Sequence, residues 1–114
     1  MRRVILSDPR GGSLDVEVAV SWRERARGLL GRTAVEPGTA LLLPDTRSVH
    51  TFGMRFDITV ALLDRSYRVV AVRDLPPRRV IFLRCGVRHV LECAAGVDLR
   101  EGDVLSGEQR ADQR

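Results

Sequence analysis

"LDVEVAV", residues 14–20, is the stretch that decides the fold. Leu14, Val16, Val18 and Val20 fall on one side of an extended chain, and Asp15 and Glu17 on the other. That two-residue period is the signature of a strand with one buried face. "RRVILS", residues 2–7, precedes it, and Asp8-Pro9-Arg10-Gly11-Gly12 lies between. Proline, aspartate and paired glycines are turn-forming residues, so the two runs read as a hairpin.

Outward from this hairpin the period changes once. In "SWRERARGLLGR", residues 21–32, Ser21 and Glu24 have the spacing of a capping box, in which each side chain bonds the other residue's amide. Trp22, Ala26, Leu29 and Leu30 form an apolar stripe that suits packing on a sheet. A short helix is expected over about residues 22–30, with Gly31 as its stop. Gly28 is unfavourable inside a helix by about 1 kcal/mol relative to alanine. It is expected to mark a close approach of helix to strand.

After the helix, strand signals return. "TALLL" ends at Pro44. "RSVHTF", "ITVALLD", "YRVVAV", "VIFL", "RHVLECA" and "GDVLSG" follow, separated by turn residues. The expected fold is mainly β: a single-domain barrel or jelly-roll-like sandwich of about eight or nine short strands with one short helix. The domain is expected to span residues 1–107, with 108–114 as a flexible polar tail.

Composition narrows the function. A chain of 114 residues with 44% hydrophobic residues is one globular domain. No apolar run nears the ~20 residues of a membrane helix. The amino-terminal apolar run, Val4–Leu6, is too short for a secretory signal, so a cytoplasmic location is expected. All 19 basic residues are arginine, against 15 acidic ones, for a net charge of +4. The arginines are scattered among acids, and aromatics make up only 4%, too few for a base-stacking platform. Nucleic acid is therefore not the expected partner.

Several spaced pieces resemble one known family: "RARGLLGR", "GTALLLPDTRSVHTFGMRF", "LLD", "LECAAG" and "EGDVL". In this order they resemble the bacterial and archaeal domain-of-unknown-function family 192, over about residues 14–105. The resemblance implies a compact, mostly β domain of barrel or jelly-roll type with a short helix, and no established activity. Members commonly carry proline, an aliphatic residue and aspartate where this chain has Asp57, Ile58 and Thr59. They tend to have glycine where it has Tyr67. Asp57 does not simply replace the missing acid. Two residues along a strand keep the face but displace the group by about 6.6 Å.

The candidate site centres on "HTFGMRFD", residues 50–57. As an extended segment it places His50, Phe52 and Met54 on one face and Thr51, Gly53 and Arg55 on the other. The ligand-binding candidates are His50, Thr51, Met54 and Arg55, with Glu92 and Asp103 nearby. Phe52 and Met54 serve equally well as core, and Glu92 as a structural salt-bridge partner.

Cys85, His89 and Cys93 are spaced by four, and His50 could add a fourth ligand. Four residues of strand span about 13 Å, too far for one ion or a disulfide unless the chain folds back. No metal or cofactor is expected. No nucleophile elbow, P-loop or dinucleotide fingerprint is present. The leading reading is a small non-catalytic binding or accessory module. It recognises an anionic small ligand or a protein segment, as a monomer or weak dimer. The alternative is a small acid–base enzyme using His50 with a nearby carboxylate.

Overall fold

A computed structural model describes residues 2–29, 32, 34–46, 48–82 and 85–109. Among the described residues there are nine strands and one helix. β1 (Arg2–Ser7) and β2 (Ser13–Val18) form the expected antiparallel hairpin, with Leu6 opposite Leu14 and Val4 opposite Val16. Asp8 organises the loop: its Oδ1 accepts from the amides of Arg10 (2.7 Å) and Gly12 (3.0 Å). Leu14, Val16 and Val18 are buried, but β2 ends at Val18 and Val20 is exposed just before the helix.

β3 (Thr39–Leu43) lies parallel to β2. A parallel neighbour needs a crossover, and α1 (Trp22–Arg27) supplies it. The capping box is present: Ser21 Oγ accepts from the Glu24 amide (3.1 Å), and Glu24 Oε1 accepts from the Ser21 amide (3.0 Å). The Ser21 amide, with the Val20 amide at 2.7 Å, holds the Glu24 carboxyl below its ordinary range. The helix is shorter than the expected 22–30. Gly28, at φ 53°, caps it, and its amide bonds the Glu24 carbonyl. Leu30 and the expected stop at Gly31 lie outside the described residues, as does the side chain of Trp22.

The remaining strands are β4 (Ser48–His50), β5 (Ile58–Leu63), β6 (Val69–Leu75), β7 (Val80–Phe82), β8 (His89–Ala94) and β9 (Ser106–Gln109). Seven strands form one sheet in the order β6-β5-β8-β3-β2-β1-β9, and β4 pairs with β7 in a second. The large sheet curls into a half-barrel. Residues 102–105 bond to the start of β6, through Val69 N to Asp103 O and Leu105 N to Tyr67 O, then run into β9 on the opposite edge. β9 therefore takes in Glu108 and Gln109, the first residues of the stretch expected to fray.

The central strands are apolar on both faces because both faces are covered. Ala40, Leu42, Ala61, Leu63, Leu91 and Cys93 belong to the core inside the curl. Leu41, Leu43, Val60, Leu62 and Val90 belong to a second core on the other face, with Leu29, Val49 and Met54. The β5–β6 turn explains the family's glycine: Tyr67 sits at φ 63°, a left-handed conformation that glycine adopts without cost. Here the tyrosine ring packs edge-on against His89, with centroids 4.9 Å apart.

Candidate functional site: a capped cleft over a buried carboxylate

Glu92 lies in the middle of β8, paired with Leu41 of β3 on one side and Val60 of β5 on the other. Register alone therefore drives its side chain into the second, apolar core, where it is 3% exposed. The Leu29 backbone amide donates to the carboxylate. Among the described residues, Oε1 has no hydrogen-bond partner. Burial pushes the Glu92 carboxyl up to about 7, against the weaker pull of the Leu29 amide and Arg32. The expected salt bridge to an arginine is not formed among the described residues.

Gly28 faces this carboxylate. A Cβ on Gly28 would stand 3.0 Å from Glu92 Oε1, and its φ of 53° also disfavours a side chain. The glycine thus marks the close approach of helix to strand that its sequence position suggested. Above Glu92 opens a cleft of about 330 Å³. Leu29, Leu43, Val49 and Met54 give it apolar walls, Arg25, Arg27, His50 and Glu92 supply charge, and Thr46 and Ser48 add hydroxyls.

Of the six sequence candidates, His50, Met54 and Glu92 line this cleft, and Thr51, Arg55 and Asp103 are not among its lining residues. Extended backbone stops at His50. A turn follows, with Met54 N bonding Thr51 O (3.1 Å) and Gly53 at φ 86°. The turn breaks the expected alternation: Met54 is buried while Phe52 is 51% exposed. Arg55 points to solvent.

Thr51 is fully buried, and its hydroxyl is occupied by protein. Oγ1 donates to the Pro76 carbonyl (2.7 Å) and accepts from the Arg79 amide (2.8 Å), tying this turn to the loop between β6 and β7. Thr51→Val strands both backbone groups and is expected to lower stability by about 2 kcal/mol, read from urea denaturation midpoints. A wild-type midpoint would remove the bond's structural role.

Asp103 serves elsewhere. Arg10 grips it with two bonds of 2.8 and 2.9 Å, and the Arg100 amide donates to it at 2.9 Å. The Arg10 contact, more than any other, holds the Asp103 carboxyl below the ordinary carboxylate range. The stability it gives is present above that range and lost as pH falls through the lowered value. Asp103→Asn is therefore expected to melt earlier than wild type at pH 7. The difference should begin to shrink as pH falls below about 4, where the unfolded carboxyl takes up its proton, and vanish only once pH has passed the lowered value of the folded protein.

The metal-like spacing is dispersed. Cys85 is exposed, and Cys93 is buried on the sheet face opposite Glu92. His89 Nδ1 accepts from the Asp45 amide at 3.2 Å. Among the described residues, no three His, Cys, Asp or Glu side chains gather about one point. Thr59, at the family's acid position, bonds Asp74 through Oγ1 (2.7 Å) and pairs with Cys93, so it too faces away from Glu92.

Arg25 and Arg27 escaped the sequence reading, and Gly28 was read as a packing position and not as part of a site. The available signals were a glycine just past a capped first turn and a glutamate inside an apolar strand. Only the crossover from β2 through α1 to β3 brings these together.

A half-barrel β domain with a helix-capped cleft over one ionisable group defines the structural class. The chain belongs to the family DUF192, described as "Uncharacterized ACR", whose profile matches residues 5–107. It is 36% identical over 89 residues to a UPF0127 protein of Pyrococcus horikoshii, covering 73% of this chain and 75% of that one. It is 33% identical over 99 residues to a UPF0127 protein of Thermococcus gammatolerans, covering 80% of this chain and 65% of that one.

Two solved structures share the fold. One is a proposed transcription regulator of Sinorhizobium meliloti 1021, with TM-score 0.79, 26% identity, and 93% and 92% of the two chains covered. The other is a protein of unknown function from Novosphingobium aromaticivorans, with TM-score 0.78, 18% identity, and 91% and 83% covered. No described helix is long and apolar enough to cross a membrane.

Proposed function

We propose that this domain is a small-ligand binding module and that its ligand, a small anion, occupies the cleft between α1 and β4. The supporting observation is one concave space of mixed polarity that Arg25, Arg27, His50 and the buried Glu92 all line. Its volume of about 330 Å³ is at the lower end for ligand sites. That size suits a molecule of metabolite dimensions better than a peptide segment. Arginine's planar fork suits a carboxylate or phosphate. A panel of phosphate, dicarboxylates and sugar phosphates, screened by thermal shift, tests the reading. At least one anion should raise Tm in wild type and do so less in Arg25→Ala. Uniform silence across the panel in wild type would count against it.

One observation favours a second reading, a small acid–base enzyme. Glu92, with its carboxyl near 7, and His50 line the same cleft, and proton transfer at neutral pH calls for such groups. Turnover of a bound compound, lost in Glu92→Gln, would establish that role. Tight binding without turnover would leave the module reading in place.

A further inference from the structure

Among the described residues, two other features are weaker than the cleft over Glu92. The groove along Arg3, Glu17 and Arg32 is built from ion pairs already made, and Cys85 is a lone exposed thiol. The Glu92 carboxylate differs from both. It is almost wholly buried, it lines a cleft open to solvent, and one of its oxygens is unbonded among the described residues.

We propose, building on the cleft as a ligand site, that its ligand is bipolar: a nitrogen-borne hydrogen enters first and bonds Glu92 Oε1, while an anionic end stays at Arg25 and His50. Three features support this. First, the Leu29 amide already donates to the carboxylate, so the site is arranged for an acceptor and lacks one more donor. Second, the residue facing Oε1 carries no side chain: a Cβ on Gly28 would begin 3.0 Å from that oxygen and cover it. Third, Leu29, Leu43, Val49 and Met54 line the cleft and offer no side-chain donor to Glu92, and of the two hydroxyls that also line it, that of Thr46 is already given to the Pro44 carbonyl (3.2 Å). A buried acceptor that the fold leaves unpaired is unfavourable until something supplies the bond. The chemical class that meets both ends is a short amino or guanidino acid.

The test uses the ¹⁵N-labelled full chain and three probes: guanidinoacetate, β-alanine and propionate, the last lacking the donor end. Guanidinoacetate or β-alanine should shift the amide signals of Gly28, Leu29 and Glu92. It should also bind wild type about tenfold or more tightly than propionate, as expected for one charge-assisted hydrogen bond. Glu92→Gln and Glu92→Leu should each remove that preference. If propionate binds the cleft as well as the other two, and both variants leave this unchanged, the cleft takes anions but the donor-end assignment is wrong. If none of the three perturbs the cleft at millimolar concentration, the bipolar assignment fails. Should the anion panel also fail there, the ligand-site reading falls with it.

Discussion

Glu92→Gln makes the protein more stable above neutral pH, and the gain grows with pH. Below about pH 4.5 the wild-type carboxyl is protonated in both the folded and unfolded chains. The glutamine variant then resembles it closely, since each presents one carbonyl oxygen to the Leu29 amide and one donor to the cleft. Between 4.5 and about 7 the unfolded chain releases its proton while the folded chain keeps it. Each pH unit in that window disfavours the wild-type fold by about 1.4 kcal/mol. Above about 7 both states are ionised, and the deficit levels off near 3 kcal/mol, an order-of-magnitude figure from that displacement. Urea denaturation of both proteins from pH 4.5 to 9 should give curves that coincide at the acid end and diverge upward. Parallel curves would mean that Glu92 ionises in the fold as readily as in water, and the case for a specialised carboxylate would go with them. A bound cationic or donor-bearing ligand should narrow the gap by stabilising the ionised wild-type side chain.

Leu91→Ala has the larger effect on stability, an expected loss of about 3–5 kcal/mol. Leu91 is completely buried at the centre of β8, directly opposite Leu42 on β3 and Ala61 on β5. Both neighbouring strands are hydrogen-bonded on either side, so the backbone cannot close in on the space left behind. A loss of this size is a large share of the roughly 5–15 kcal/mol that holds a domain of this kind folded. Phe52→Ala is the matched control. The larger ring is lost, yet half of it faces water in a turn, so the midpoint should move by well under 1 kcal/mol. If the two substitutions cost alike, residues 50–54 are packed as a strand and the turn at Gly53 is wrong.

That contrast shows where reading residues in a line works. Alternation in residues 14–18, the capping box at Ser21 and the apolar runs of β3, β5 and β8 were legible because each depends on neighbours a few residues away. Alternation misled at residues 50–57. The amides of Met54 and Arg78 both bond the Thr51 carbonyl, and a long-range contact of that kind overrides local period.

The candidate site divides the same way. Met54 and His50 could be named from a motif, and Glu92 stood out as a charge in an apolar strand. Asp103 was misplaced because its partner, Arg10, lies 93 residues away. Arg25 and Arg27 carry no local mark of a site, and Gly28 was legible only as a close approach of helix to strand.

The sequence by itself determined the β architecture, the one capped helix and the family, since period, turn chemistry and ordered motifs are local properties. Only the tertiary structure decided that Glu92 is deprived of water and of a second hydrogen bond. That depends on Leu41 and Val60 lying on either side of it and on Gly28 coming down over it, and strand register and helix placement are set by packing across the whole chain.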